Sequence, residues 1–292
     1  MAQYNIKELE HLSGIKAHTI RIWEQRYNIL CPSRTETNIR YYSDADLKTL
    51  LNVSFLNEKG YKISKIARMD DAERQEKVKE LCDDPVEASS KLPVLVAAMI
   101  DMDEHIFDKT ISTASLQIGF RETMRQLVYP FLNKIGILWQ TNNITPAHEH
   151  FISNLVRQKL IVAIDGQTVH KRKDAPTYLL YLPEDELHEI ALLYMNYIIR
   201  SYQLPVVYLG QHLPFSDLEL TYEQCKPQYL CTVLTTTPER DKVQAYLNKL
   251  SERFPAATIY VSGQQVQQPE SLIFPDNVHL ISNIDQFIEL FN

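Results

Sequence analysis

The chain has 292 residues, of which 45% are hydrophobic and 23% are charged, a composition typical of a globular protein with room for two or three domains. Its longest apolar run, residues 92–100, is too short to cross a bilayer, and charge from Lys7 onward argues against a signal peptide, so we expect a cytoplasmic protein without a membrane partner. The 4 cysteines are scattered and form no C-x-x-C pair, which argues against structural zinc and fits a reducing compartment.

The net charge of −7 is distributed unevenly along the chain. Residues 1–69 contain 11 Lys and Arg against 7 Asp and Glu, which gives +4, whereas the remaining 19 basic and 30 acidic residues give −11. A basic head on an acidic body is typical of a DNA-binding domain joined to a sensor that avoids DNA.

Two short amphipathic segments near the N-terminus predict a helix-turn-helix. The first, residues 6–12, ends in Ser13-Gly14, and the second runs from residue 15 to residue 27. Two helices joined by a tight turn that contains glycine form the motif whose second helix enters the major groove of double-stranded DNA. We therefore expect the second segment to be a recognition helix.

A predicted β-hairpin, or wing, follows that helix, with polar residues 35–38 between two basic or aromatic edges. The order of T-I-R-I-W-E-Q-R-Y, an arginine-bearing wing and R-Y-Y-S-D-A-D-L resembles the MerR family of transcriptional regulators over about residues 3–70. The resemblance implies a homodimer or a tetramer that binds promoter or operator DNA. The side chains expected to contact DNA lie on the second helix and the wing: Lys16, His18, Thr19, Arg21, Arg26, Arg34, Arg40 and Tyr42.

The middle of the chain is predicted to be helical. Ser43 is a suitable N-cap for a helix over residues 44–59, and residues 63–69 form another short helix. From residue 92 to residue 166 the apolar spacing is helical throughout, which predicts a four-helix bundle. The four predicted helices are residues 92–100, 103–118, 121–139 and 146–165.

The C-terminal part of the chain alternates strands with helices. The predicted strands are residues 177–182, 205–209, 229–234, 258–261 and 278–281. The predicted helices between them are residues 184–202, 215–225 and 241–254, and a closing helix follows the last strand. This alternation predicts a parallel, doubly wound sheet, in which ligands lie beyond the carboxyl ends of the strands.

Two groups of residues could carry chemistry. Trp139 ends one bundle helix and Glu149-His150 opens the next, although core packing and an ordinary helix start explain them equally well. Glu186 and His188 follow the first strand of the sheet, where a carboxylate two residues from a histidine could orient the imidazole as a metal ligand. Taken alone, that pair is more typical of a surface histidine on a helix.

Together, W-x9-E-H in a bundle and E-x-H after a first strand resemble the cobalamin-binding photoreceptor and sensor branch of the MerR family. The resemblance implies a multi-domain α and α/β protein: a winged helix-turn-helix (1–75), a helical bundle (76–170) and a flavodoxin-like, Rossmann-type sheet (171–292). It implies adenosylcobalamin or a related corrinoid between bundle and sheet, with His188 on cobalt and Glu186 holding its imidazole. Trp139, Glu149 and His150 would cover the other face, and light would break the cobalt–carbon bond and release DNA.

The chain departs from that branch at several positions where the cofactor is expected to bind. The usual D-x-H-x-x-G is here Glu186-x-His188-x-x-Ala191, and the usual S-x-L is Thr232-Val233-Leu234. The usual Gly-Gly pair is Ser262-Gly263. An added side chain that overpacks such a site costs about 1–3 kcal/mol.

Two other functions stay open at this point. The first is a MerR-like regulator whose sensor domain binds another ligand or none. The second is a cobalamin carrier module of a methyltransferase or mutase, against which the helix-turn-helix argues. The sequence contains no G-x-G-x-x-G, P-loop or Ser/His/Asp arrangement, so we expect a regulator and not an enzyme.

Overall fold

A computed structural model describes residues 3–35, 38–81, 91–140, 144–168, 175–267 and 271–291. The chain forms two compact units, Met1–Leu155 and Val156–Asn292. No helix within these described ranges has the length and apolar character needed to span a membrane. The finer division into three domains stays a prediction.

The predicted helix-turn-helix is formed by α1 (Ile6–Ser13) and α2 (Ala17–Tyr27). A capping box begins α1: the side chain of Asn5 accepts from the backbone of Glu8, whose carboxylate accepts from the Asn5 N–H. Gly14 ends α1 at φ 74°, a left-handed conformation that glycine adopts without strain. The turn therefore follows from local chemistry.

The wing and three further helices complete the N-terminal region. Strands β1 (Ser33–Arg34) and β2 (Arg40–Tyr41) pair antiparallel, as predicted. Helix α3 (Asp44–Glu58) begins with a second capping box, Ser43 with Asp46. Helices α4 (Ile63–Ile66) and α5 (Asp71–Leu81) follow.

The predicted bundle helices are all present. They are α6 (Leu92–Ile100), α7 (Glu104–Ile118), α8 (Phe120–Thr123), α9 (Tyr129–Gln140) and α10 (Pro146–Asp165). The predicted third helix, residues 121–139, contains a π-helical turn, Met124–Val128, between α8 and α9. Pro130 has no N–H to bond the carbonyl of Gln126, which favours a local change of helix type there.

A five-stranded parallel sheet forms the second unit, as predicted. Its strands are β3 (Tyr178–Pro183), β4 (Val206–Leu213), β5 (Tyr229–Val233), β6 (Thr258–Ser262) and β7 (Val278–Leu280). Its helices are α11 (Ile190–Ser201), α12 (Phe215–Cys225), α13 (Val243–Arg253) and α14 (Ile284–Glu289). The order β4-β3-β5-β6-β7 is that of flavodoxin-like folds, so the direction of winding reverses beside β3.

One predicted boundary in this unit is wrong. The helix expected from residue 184 begins only at Ile190, and residues 184–189 form a loop after β3. The backbone of this loop and the carboxylate of Glu186 make hydrogen bonds to neighbouring segments, and these bonds replace the bonds of a first helical turn. This loop therefore lies at the carboxyl edge of the sheet, at the point where the winding reverses.

Candidate functional site

The recognition helix presents a basic, polar surface. Ile20 and Trp23 are buried, which anchors α2 in the domain. The predicted contact residues on the opposite side are accessible: Lys16, His18, Arg21 and Arg26 are exposed, and Thr19 is half-buried. Exposed cations along one helix are the feature that binds the phosphates and base edges of DNA.

Glu24 connects α2 to the wing. Arg40 Nε donates to Glu24 Oε1 at 3.1 Å, and the Tyr42 hydroxyl donates to Oε2 of the same carboxylate at 3.3 Å. The Glu24 side chain is only 12% exposed, so this ion pair is better shielded from solvent than an ordinary surface pair. Glu24 therefore fixes the position of the wing beside the recognition helix.

Tyr42 was predicted to contact DNA, but the structure does not place it on the exposed surface. It is 1% exposed, and burial, followed by the neighbouring Glu24 carboxylate, raises the pKa of Tyr42 to about 12. A neutral, buried phenol that donates to Glu24 supports the wing and is not available to DNA. Arg34, in contrast, is exposed, and its Nη1 donates to Asn38 Oδ1 at 2.7 Å across the hairpin.

The second candidate site is the loop between β3 and α11. The Glu186 side chain is fully buried there, whereas the His188 side chain is 54% exposed. His188 Nδ1 lies 2.6 Å from Glu186 Oε1, and the His188 backbone N–H donates to the same oxygen at 3.0 Å. The carboxylate thus holds the imidazole at the carboxyl edge of the sheet.

The other oxygen of Glu186 binds the loop that follows β5. Oε2 accepts from the backbone N–H groups of Thr235 at 3.0 Å, Thr236 at 2.6 Å and Thr237 at 3.0 Å. Burial alone raises the pKa of Glu186, but the hydrogen bonds from His188, Thr236 and Thr237 outweigh it and hold that pKa well below its usual range. Glu186 is therefore ionised and can only accept, which requires that His188 Nδ1 carry a hydrogen.

The end of β4 holds the same loop from its other side. His212 Nδ1 accepts from the Asp185 N–H at 2.9 Å, and Gln211 Nε2 donates to the Leu187 carbonyl at 2.6 Å. The backbone carbonyl of Glu186 also accepts from the His212 N–H at 3.2 Å. Because both neighbours of β3 bind this loop, the position of His188 is determined by three strands.

This geometry fits an imidazole that binds a metal through Nε2. A carboxylate on the opposite ring nitrogen orients the ring and makes it a better donor, as in metal-binding histidines generally. Within the part of the chain that the structure describes, no three His, Cys, Asp or Glu side chains cluster to hold a metal ion. A single oriented imidazole suits a metal that a macrocycle already carries, as a proximal histidine suits haem iron.

Of the other predicted cofactor residues in the sheet unit, Thr232 is the most informative. It is fully buried, and its hydroxyl oxygen makes no hydrogen bond of standard geometry to the described residues. Leu234 is also fully buried, and its backbone N–H donates to the Ser262 carbonyl at 2.7 Å. The hydroxyl lies near that of Tyr181, the residue opposite Thr232 on the neighbouring strand β3.

Of the remaining three predicted positions, Ser262 and Gly263 have explanations within the fold. The Ser262 hydroxyl donates to the Ile281 carbonyl at 2.8 Å, so it is held within the sheet. A Cβ on Gly263, whose φ is 107°, would lie 2.7 Å from Leu234 N, so glycine is needed there for packing alone. Ala191 lies half-buried at the start of α11.

The predicted cap residues lie on consecutive helices, Trp139 on α9 and Glu149 and His150 at the start of α10. The side chain of Trp139 lies outside the described part of the chain. His150 is 71% exposed and lies 3.6 Å from the Glu149 carboxylate. Their common role over a ligand stays a prediction.

Sequence reasoning missed two groups of residues. Glu24 was not identified, although an acidic residue on an otherwise basic helix is a signal that it pairs locally. The run Thr235-Thr236-Thr237 was not identified either, although polar residues directly after a central strand are typical of a site at the switch point.

Two family models match the chain. Residues 4–73 match the model described as MerR HTH family regulatory protein, and residues 94–163 match the model described as B12 binding domain. The first match agrees with the resemblance identified from the helix-turn-helix, and the second agrees with the one identified from W-x9-E-H in the bundle. The second match covers the bundle helices and not the sheet.

Two curated relatives align over nearly the whole chain. The HTH-type transcriptional repressor CarH of Myxococcus xanthus is 23% identical over 294 residues, covering 98% of this chain and 97% of CarH. The repressor CarA of the same organism is 21% identical over 289 residues, covering 98% of this chain and 96% of CarA.

One solved structure has the same fold over most of the chain. It is the monomethylamine corrinoid protein of Methanosarcina barkeri, with a TM-score of 0.54 and 12% identity, and the alignment covers 67% of this chain and 94% of that one. At this identity the similarity concerns the fold alone. It agrees with the predicted architecture of helices followed by a parallel five-stranded sheet.

Proposed function

Because this chain joins a MerR-type helix-turn-helix domain to a B12 binding domain and is homologous to the repressors CarH and CarA, we propose that it is a cytoplasmic transcriptional regulator controlled by cobalamin. The observation that carries the proposal is the Glu186–His188 pair at the switch point of the sheet, in a chain that also carries a recognition helix. In this proposal the protein binds DNA and cobalamin, its DNA binding responds to the cofactor, and it catalyses no reaction.

The residues of the sheet unit would hold the corrinoid. His188 would bind cobalt through Nε2, and Glu186 would keep the imidazole in the tautomer that leaves this nitrogen as the donor. Thr232, Leu234, Ala191, Ser262 and Gly263 would line the rest of the site, and Trp139, Glu149 and His150 would cover the ligand. Adenosylcobalamin supplies a cobalt–carbon bond that light breaks, which would make the regulator responsive to light.

The DNA partner is double-stranded promoter or operator DNA. Helix α2 enters the major groove with Lys16, His18, Thr19, Arg21 and Arg26, and the wing contacts phosphates with Arg34 and Arg40. A homodimer, or a tetramer built from dimers, brings two recognition helices to two half-sites. The support for this arrangement is the exposure of the cations on α2 and the fixed position of the wing.

The cofactor proposal is tested by absorbance of the purified full-length protein after dialysis against adenosylcobalamin in the dark. We expect a spectrum with histidine on cobalt for the wild type and for His279→Ala, a histidine variant on β7 away from the site. His188→Ala should shift the spectrum to one without a lower nitrogen ligand. Equal spectra for wild type and His188→Ala would contradict the assignment of His188.

A wild type that retains no corrinoid would support the second candidate, a MerR-like regulator whose sensor binds another ligand or none. The observations that favour this alternative are the Ser262 hydroxyl, which is held by the Ile281 carbonyl, and the side chain at Ala191. The corrinoid titration therefore decides between the two candidates.

The DNA proposal is tested by selecting double-stranded DNA from a random library with the full-length protein. We expect an inverted repeat, whose two halves reflect a dimer, and gel-shift binding that changes with adenosylcobalamin and with light. Binding to all sequences alike, with no half-site enriched, would contradict sequence-specific regulation.

A further inference from the structure

A cavity of about 290 Å³ lies in the N-terminal unit. Its walls come from α3 and α5 on one side and from α6 and α7 of the bundle on the other. Among the residues that the structure describes, these walls include none of the predicted DNA contacts or cofactor residues. A cavity of about 150 Å³ holds one benzene ring, so this one has room for two fused rings but not for a corrin ring.

Much of the wall of this cavity is aliphatic. Val78 on α5 and Val94 and Ala98 on α6 are buried, and Ile106 on α7 is half-buried. Small-molecule sites are usually lined in this way, with a few polar groups that fix the orientation of the ligand. The polar groups of the wall should therefore indicate what the cavity binds.

The carboxamide of Asn52 is the most informative of these polar groups. Asn52 lies on α3 and is 9% exposed, and its side chain makes no hydrogen bond to the residues that the structure describes. A buried amide without a partner costs stability, which a ligand recovers if it supplies the missing hydrogen bonds. Because a carboxamide carries a donor and an acceptor side by side, the matching ligand edge carries an acceptor beside a donor.

The charges around the cavity balance one another. Lys48 Nζ lies 2.6 Å from Asp101 Oδ1, and Lys109 and Asp103 also line the cavity. The remaining titratable side chain among the described lining residues is His105, which counts as neutral at pH 7. Two lysines against two aspartates leave no net charge to attract an ion, so the cavity favours an uncharged ligand.

We infer that this cavity is a binding site for an adenine-type base, held by two hydrogen bonds to the carboxamide of Asn52. Adenine is uncharged and consists of two fused rings, and its N6 amino group donates beside the N7 acceptor, an edge that asparagine binds with both of its polar atoms. Hypoxanthine has the same shape but presents two acceptors at that edge, so the carboxamide oxygen would find no donor. This site goes beyond the proposed function and does not depend on cobalamin.

The experiment titrates adenine, adenosine and hypoxanthine into the full-length protein by isothermal titration calorimetry. Adenine and adenosine present the same edge, and the tighter of the two identifies the free base or the nucleoside as the better ligand. We expect the wild type to bind at least one of them with a dissociation constant below about 1 mM. Hypoxanthine should bind about 5-fold to 150-fold more weakly than adenine, the range of one such paired contact.

Two variants test the assignment of Asn52. Asn52→Leu should lose the preference for adenine over hypoxanthine, whereas Asn154→Leu, at an exposed position on α10 that does not line the cavity, should bind as the wild type does. Without ligand, Asn52→Leu should melt no lower than the wild type, because a side chain of similar size replaces an amide that lacks a partner.

Three outcomes would overturn the inference. The first is a wild type that binds neither adenine nor adenosine, and the second is a wild type with equal affinities for adenine and hypoxanthine. The third is a lower melting temperature for Asn52→Leu than for the wild type, which would show that the amide has a structural role. Each of these outcomes leaves the proposed binding of cobalamin and DNA standing.

Discussion

Two glutamates, one in each unit, hold a basic side chain at a candidate binding surface. Glu24 joins the recognition helix to the wing and accepts from Arg40 at 3.1 Å and from Tyr42 at 3.3 Å. Glu186 joins the loops after β3 and β5 and accepts from His188 at 2.6 Å and from three consecutive backbone N–H groups. Both carboxylates therefore position a neighbour.

The two glutamates differ in how completely they are enclosed. The Glu24 side chain is 12% exposed, whereas the Glu186 side chain is fully buried. A surface that binds DNA through many separate phosphate contacts tolerates small displacements of each side chain. A single metal ligand does not, because its lone pair must point at one atom. Under the proposed function, the more rigid carboxylate thus lies where the one bond from His188 to cobalt must be placed accurately.

The largest expected effect is on folding of the sheet unit. Glu186→Ala removes a buried anion and leaves the Thr235, Thr236 and Thr237 N–H groups without an acceptor, which should lower the free energy of unfolding by about 3–5 kcal/mol. Urea unfolding followed by near-ultraviolet circular dichroism measures this, with the exposed neighbour Glu184→Ala as a control expected within about 0.5 kcal/mol. A loss below about 1 kcal/mol for Glu186→Ala would contradict the described role of the carboxylate.

The next effect concerns the ligand. Glu186→Gln keeps the size of the side chain but gives His188 a weaker acceptor, so cobalt ligation should weaken without disappearing. We expect adenosylcobalamin affinity to fall about 10–100-fold, the usual result of losing a partner of a metal-binding residue. Titration by absorbance measures it, and an affinity below that of His188→Ala would show that Glu186 does more than orient the imidazole.

A smaller effect is expected at the recognition helix. Arg21→Ala should weaken binding to the selected DNA by about 1–3 kcal/mol and relax the sequence preference at one position of each half-site. Gel-shift titrations against single-base variants of the selected DNA measure both quantities. Lys7→Ala on α1 is the matched control, because Lys7 is exposed and lies outside the proposed contact surface. Unchanged sequence preference in Arg21→Ala would remove Arg21 from base contact.

The smallest effect sharpens the comparison between the two glutamates. Glu24→Gln should lower the free energy of unfolding of the N-terminal unit by only about 1 kcal/mol, because few donors depend on this carboxylate. In Glu24→Gln, Arg40 loses its ion-pair partner and the wing loses its fixed position. The affinity for DNA should therefore also fall slightly. Thermal unfolding and gel shifts measure the two effects, and a stability loss as large as that of Glu186→Ala would show that enclosure does not distinguish the two carboxylates.

The sequence by itself determined the elements and their order. The capping boxes at Asn5 and Ser43 and the left-handed Gly14 involve residues within a few positions of each other, so their signals are local. The five strands were recognised for the same reason, because each is a short apolar run whose pattern does not depend on its neighbours. Parallel pairing then followed from the alternation of strands with helices.

Only the tertiary structure decided which side chains meet. The sequence predicted that Tyr42 contacts DNA beside the wing. In the structure its hydroxyl donates to Glu24, 18 positions earlier, and its ring is buried. The donors that bind Glu186 lie 49 to 51 positions later, on a loop that the strand order brings to the same edge. Hydrogen-bond partners at such distances depend on how strands are arranged in space, and no periodicity along the chain encodes that arrangement.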